Sequence, residues 1–309
     1  MNRYSPVIQD RVSEHSLELS GSTVHYWEYP ALPCPADNSP APLRTVLVVH
    51  GFRGDHHGLE RVVEALPGLR VLMPDLPGFG ESEAFPSREH NIAGYTEFLQ
   101  EFMTALGLDE RTVLLGHSFG SIVASHFVAE HPGRVAELIL INPIAAPALE
   151  GPKGVLSKLA QFYYWAAAKL PEKLGQALLR SKLIVQVMSV SMAKTKDPEL
   201  LEFIHGQHHA YFSSFAHRDM LLEAFKASIS GNVRQVAEQL RLPTLLIAGE
   251  KDEIAALPAQ HALLERLPQA ELSVIDGVGH LIHYETPAEA AQAIKAFLAA
   301  HPDPSEAAS

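Results

Sequence analysis

The sequence predicts an α/β fold: a mostly parallel central sheet flanked by helices, with an α-helical insertion in its second half. Three observations carry this expectation. Short, near-continuous apolar runs recur along the chain, amphipathic helical patterns separate them, and one long interval, 144–242, contains no convincing strand. At 309 residues, 47% hydrophobic and 19% charged, the chain can bury a large core, and length alone corresponds to about two domains.

Taken in order, residues 16–20 and 23–29 alternate apolar and polar and meet at Gly21-Ser22, the pattern of an antiparallel hairpin feeding one sheet edge. The runs 45–49, 69–73, 112–115, 138–141 and 244–248 are apolar nearly throughout, as strands buried on both faces of a parallel sheet must be. A weaker sixth run ends at Ser273 to Ile275. Over 92–106, Ile92, Tyr95, Phe98, Leu99, Phe102 and Leu106 fall at three- and four-residue spacing, and Gly107 stops the helix. The last helix opens on Thr286-Pro287-Ala288-Glu289, which reads as a capping box with proline at the first helical position.

Within 144–242 helical patterns cover 155–170, 174–192, 198–215 and 220–240. No Gly/Ser linker flanks the interval, and strand-like sequence resumes at Pro243. The expected organisation is therefore one core made of 1–143 and 243–300, an insertion over 144–242, and a disordered tail over 301–309.

Charge narrows the partners. With 24 Lys+Arg against 36 Asp+Glu the net charge is −12, which predicts no basic stripe to release counterions from a phosphate backbone, so no nucleic-acid partner is expected. The single cysteine, Cys34, makes no internal disulfide, and the first ten residues lack the apolar core of a secretory signal. The longest uncharged stretch, Thr112 to Ala129, is too rich in Gly, Ser and His to span a membrane. These features lead to the expectation of a cytoplasmic protein without a membrane span.

The sharpest chemical signal is Gly116-His117-Ser118-Phe119-Gly120, which follows the buried run 112–115 and opens a helical pattern through Ile122, Val123, His126 and Phe127. A strand that turns into a helix through a serine needs small neighbours on both sides, because the serine backbone is strained and its flanks lie against adjacent chain. Its hydroxyl needs a base to become a nucleophile, and the base needs an acid to orient it.

With His50-Gly51-Phe52 after an early run, Asp75-Leu76-Pro77-Gly78-Phe79-Gly80-Glu81-Ser82 after the next, the serine turn, and Asp252 and His280 in later loops, the chain resembles the α/β-hydrolase fold. The resemblance covers roughly Ser22 to Leu298 and puts 144–242 where that family inserts a helical cap. It implies a serine hydrolase in which Ser118 is the nucleophile, Asp252 the acid and His280 the base, following the family's chain order. Glu250 and Glu253 stay open as neighbouring acids, whereas Asn142, at the family's alternative acid position, supplies no charge. Asp75 precedes the serine and reads as a turn residue. The backbone N–H groups of Phe52 and Phe119 are the expected oxyanion donors.

No cofactor is implied. His205, His208 and His209 lie at helical spacing, and Asp55-His56-His57 forms a second group, but neither has a known metal-ligand spacing, so no metal is expected. Arg53, His57 and His283 are candidate substrate-binding residues near the expected oxyanion and base loops. Phe162 and Trp165 are candidates from the insertion, where a helical cap over the serine turn would enclose an apolar cavity. The expected substrate is a small-molecule acyl compound, a small or medium and largely apolar carboxylic ester. The same side chains would also serve carbon–carbon bond hydrolysis of a diketone or cofactor-free peroxidation, and a non-catalytic ligand-binding protein on this fold is the alternative of another class.

Overall fold

Strands whose two faces are both covered must be apolar in both registers, and the computed structural model shows this directly. It describes residues 8, 11–32, 44–147 and 154–302, the side chains from residue 159 onward in the last segment. Cys34 and residues 303–309 of the expected disordered tail 301–309 lie outside the described residues, whereas His301, expected within that tail, is ordered on the preceding helix, its N–H donating to the Phe297 carbonyl. The strands are β1 (Ser13–Leu19), β2 (Ser22–Tyr29), β3 (Thr45–Val49), β4 (Arg70–Pro74), β5 (Val113–His117), β6 (Glu137–Ile141), β7 (Thr244–Gly249) and β8 (Ala270–Ile275). In β3, Leu47 and Val49 join one apolar core while Val46 and Val48 join the other, on the opposite face.

The eight strands form one sheet in the order β1-β2-β4-β3-β5-β6-β7-β8. The hairpin β1–β2 is antiparallel, β2 pairs antiparallel with β4, and every later neighbour is parallel. Gly21, at φ +83°, makes the hairpin turn. The edge strand β8 is mostly half-buried, which explains why only its end reads clearly in the sequence.

Helices α1 (Glu60–Glu64), α2 (Ile92–Ala105) and α3 (Phe119–Glu130) follow β3, β4 and β5. Helices α4 (Gly154–Lys169), α5 (Glu172–Leu179), α6 (Lys182–Met192), α7 (Pro198–Tyr211) and α8 (Arg218–Ser230) lie between β6 and β7, and α9 (Leu257–Leu264), α10 (Ile282–Glu285) and α11 (Pro287–Ala300) complete the described helices. Phe98 and Phe102 of α2 and Ile122 and Phe127 of α3 fill one core, while Val62 and Val63 of α1 and Ile294 and Phe297 of α11 fill the other.

Three helix expectations change. The pattern 174–192 is two helices, α5 and α6, separated at Arg180-Ser181. There the Leu179 carbonyl accepts from Arg53 Nη2 at 2.7 Å, and Arg180 reaches away to the Phe215 carbonyl. The pattern 220–240 ends at Ser230, where Gly231 turns extended (ψ 156°) and Asn232, in a capping box with Gln235, starts a short turn over Val233–Gln235; a second turn over Ala237–Gln239 follows. The capping box at Thr286 does not form, since its side chain makes no cap bond while its backbone N–H closes the preceding turn onto Ile282. Pro287 does begin α11.

Candidate active site

Ser118 sits between β5 and α3 at φ 52°, ψ −117°, a left-handed conformation that side chains rarely adopt. Its neighbours show why the turn demands glycine. A Cβ at Gly116 would lie 2.5 Å from the Gly120 carbonyl oxygen, and one at Gly120 would lie 2.1 Å from the Val49 carbonyl oxygen.

The loops that follow β5, β7 and β8 bring three separated residues together. Ser118 Oγ lies 2.8 Å from His280 Nε2, and His280 Nδ1 lies 2.7 Å from Asp252 Oδ2. The other Asp252 oxygen accepts from the backbone N–H groups of Ile254 (2.8 Å) and Ala255 (2.9 Å). Burial alone would raise the Asp252 carboxyl, but the adjoining His280 and these N–H donors hold it down at about 2. Glu250 and Glu253 are engaged elsewhere: Glu250 accepts from Gly277 N–H, and Glu253 pairs with Lys194 at 2.9 Å.

Sequence reasoning weighed Asn142 only as an acid and set it aside. It directly follows β6 at φ 46°, and its Nδ2 donates to Asp252 Oδ2 (2.6 Å) and to the Gly279 carbonyl (3.1 Å). The residue that supplies no charge therefore fixes the residue that does, and the loop carrying His280 as well.

Phe52 and Phe119 both border the cavity in front of Ser118. Gly51 packs so closely that a Cβ there would lie 3.2 Å from Ser118 Cβ. His50 fixes this loop: its Nε2 accepts from Leu76 N–H at 2.8 Å, so Nδ1–H donates to the Gly51 carbonyl at 2.8 Å. Asp75 proves to be more than a turn residue. It is fully buried and accepts from His56 N–H and Nδ1 and from Glu81 N–H, tying the loops after β3 and β4 together. Burial raises its carboxyl to about 6.

The cavity encloses about 300 Å³ and is lined mostly by apolar groups, including Tyr164 of α4, Met188 and Met192 of α6 and Phe225 of α8. Met188 and Met192, at i and i+4, were not singled out in the sequence, because Leu183, Val187 and Val190 on the opposite face of α6 show the same apolar spacing. His283 also borders the cavity, as expected, and packs against His117 with ring centroids 4.3 Å apart. Burial pushes His117 down to about 3 and His208 to about 4, and drives His283 well below its ordinary value, so all three are neutral at pH 7.

The other expected substrate contacts are placed elsewhere. Arg53 is only 1% exposed and does not border the cavity; it donates to the carbonyls of Phe212 and Leu179 and to the Tyr164 hydroxyl. His57 lies outside the cavity wall too, stacked on Tyr211 at 3.8 Å with Nδ1 on Asp55. Phe162 and Trp165, 60% and 55% exposed, lie on the outer surface of α4, because the inward positions are taken by Ala160 and Tyr164. Ser189 Oγ bridges His205 and His208, and His209 bonds Gln186. Asp55, His56 and His57 place possible ligand atoms within 4.8 Å of one another, with His56 Nδ1 and His57 Nδ1 already on Asp75 and Asp55.

The parallel sheet and the side chains gathered beyond its strand ends define an α/β protein of the hydrolase class. A family model described as the alpha/beta hydrolase fold matches residues 44–287, and the chain belongs to that family. It is 24% identical over 304 residues to "Lipase 1" of Psychrobacter immobilis, an alignment covering 96% of this chain and 89% of the relative. A thermophilic esterase from Thermogutta terrifontis superposes with TM-score 0.70 at 24% identity, covering 93% and 98% of the two chains. A bromoperoxidase from Bacillus anthracis superposes with TM-score 0.74 at 18% identity, covering 93% and 100%. The family match and the lipase relatives support a hydrolase, and the two solved structures share its fold. Among the described residues no helix is long and apolar enough to cross a membrane.

Proposed function

We propose that the protein is a serine hydrolase acting on a small or medium, largely apolar carboxylic ester through an acyl-enzyme. The observation that carries this reading is the pair of short bonds from Ser118 Oγ to His280 Nε2 and from His280 Nδ1 to Asp252 Oδ2, opening onto an apolar cavity. In this reading His280 takes the Ser118 proton, Ser118 Oγ attacks the ester carbonyl, and Asp252 holds the imidazole with its proton on Nδ1 and stabilises the imidazolium. The backbone N–H groups of Phe52 and Phe119 receive the tetrahedral oxyanion. His280 then protonates the leaving alcohol, and water, deprotonated by the same imidazole, releases the acid.

The helices of 144–242 act as a cap. They supply Tyr164, Met188, Met192 and Phe225 to the cavity wall, which excludes water and favours an apolar acyl or aromatic group. A cavity of about 300 Å³ suits a medium chain. The lipase relatives support the ester bond as the target.

A fluorophosphonate probe tests the assignment. Wild type should be labelled at Ser118 and Ser118→Ala should not; an unlabelled wild type at neutral pH sinks the activated nucleophile. An acyl-chain panel of esters, thioesters and amides, run on both proteins, then identifies the bond and the chain length.

A further inference from the structure

Helices α4 and α6 are apolar on both faces. On α4, Ala160 and Tyr164 border the cavity while Leu159, Phe162 and Trp165 lie outside, the last two rings stacked 5.7 Å apart. On α6, Met188 and Met192 face the cavity while Leu183, Val187 and Val190, at i, i+4 and i+7, are 74%, 62% and 57% exposed. A helix apolar all round belongs in an apolar surrounding on both sides. Among the described residues, every strongly exposed large hydrophobic except Leu32 and Ile254 lies between 159 and 190.

Charge separates the same region from the rest of the molecule. From 151 to 196 the chain carries eight Lys and Arg against one acid, Glu172. That excess of seven positive charges in the sequence, of which Lys194 is paired with Glu253, belongs to a chain of net charge −12, so the remainder carries −19. Lys169 ends α4, Lys173 lies in the first turn of α5 and Lys182 begins α6, all exposed beside the apolar positions.

We infer that the outer face of α4–α6 docks on an anionic lipid surface. Aliphatic side chains and a Trp-Phe pair enter the headgroup boundary, lysines at the helix ends meet anionic headgroups, and the strongly negative remainder stays in water. The charge argues against a second copy as the occupant, because a two-fold contact would press two positive faces together. Docking of this face would hold the cavity wall formed by α4 and α6 against the source of apolar acyl compounds. The inference stands apart from the hydrolytic reading, since Ser118→Ala should bind as wild type does.

The test uses the full chain with vesicles of phosphatidylcholine containing 30% phosphatidylglycerol, measured by co-sedimentation at low and high salt. Wild type should bind at low salt, and Trp165 emission should shift to the blue while Trp27, buried in the core, contributes little change. The combined Phe162→Ser, Trp165→Ser and Leu183→Ser variant should partition at least tenfold less. Combined Lys169→Gln, Lys173→Gln and Lys182→Gln should lose about a hundredfold, roughly fivefold per charge, on anionic vesicles only. Melting transitions matching wild type control for folding, and Val187→Ser with Val190→Ser is the second apolar variant if the first is unstable. Wild type that ignores the vesicles at low salt overturns the inference, as does binding unchanged by both apolar variants. A concentration-dependent dimer abolished by the apolar variants, without vesicle binding, assigns the face to a second copy; retention on poly-glutamate with the same dependence, again without vesicle binding, assigns it to an acidic protein.

Discussion

Replacing Asp252 by Asn tests the proposed chemistry at its most constrained point. Asp252 Oδ1 accepts from two backbone N–H groups, those of Ile254 and Ala255, so an asparagine must place its carbonyl oxygen there. The new NH₂ then occupies the Oδ2 position, 2.7 Å from His280 Nδ1 and 2.6 Å from Asn142 Nδ2. The reverse orientation would set the NH₂ against two N–H donors, so a simple flip gives no relief. Facing a donor, His280 Nδ1 must become an acceptor, the ring proton moves to Nε2, and the nitrogen beside Ser118 Oγ can no longer take a proton. The expected loss in kcat is about 10⁴-fold, or about 5.5 kcal/mol in the barrier. Steady-state hydrolysis of a p-nitrophenyl ester gives the rate, and ¹⁵N spectra of the imidazole give the tautomer. A loss below tenfold, or a ring still protonated on Nδ1, refutes the role of Asp252.

Asn142→Ala keeps the carboxylate but removes one donor to it, so kcat should fall about tenfold, consistent with the worth of a hydrogen bond to a charged group, while fluorophosphonate labelling persists. Arg53→Met leaves the buried Phe212 and Leu179 carbonyls without their donors and should cost about 2–4 kcal/mol, read as a lower midpoint in urea; Arg53→Lys should recover only part, because one ammonium cannot reproduce the guanidinium fork. Gly120→Ala should yield little folded protein by circular dichroism, since its Cβ would lie 2.1 Å from a backbone oxygen in the middle of the sheet. The Asp252 carboxyl, held at about 2 against an ordinary 3.8, stabilises the folded state above about pH 4, and this contribution, about 2 kcal/mol, is lost as pH falls from about 4 to 2. Asp252→Asn should lack that part of the acid slope in urea titrations.

Much of the fold was legible because parallel strands declare themselves by burial on both faces. The runs at 45–49 and 244–248 needed no tertiary context, and the glycines around Ser118 marked a turn whose steric reason is local. What the sequence concealed was decided at long range. Nothing between Leu174 and Met192 announces a break at Arg180-Ser181; the Leu179 carbonyl is taken by Arg53, 126 residues earlier in the chain. Gly231-Asn232 was a visible breaker, and the apolar pattern beyond it masked the end of α8. Phe162 and Trp165 illustrate the limit of periodicity on a helix with two apolar faces: spacing marks an apolar stripe without saying which stripe turns inward.

The same long-range contacts bear on how the helical interval relates to the chemistry. It leaves the sheet directly after β6, at Asn142, whose side chain holds both Asp252 and the Gly279 carbonyl next to His280. At its other attachment, Arg53 joins Tyr164 of α4, the end of α5 and the end of α7, and its own backbone follows Phe52. The guanidinium thus serves as a cation at two helix C-termini at once, a favourable place for positive charge and a demanding one, because three segments must converge on one side chain. A shift of α5 or α7 relative to the core would therefore strain the loop bearing Phe52, and a shift at the start of the interval would strain the support of Asp252. Arg53 and Asn142 thus give the helical interval two polar anchor points on the loops that carry Phe52, Asp252 and His280.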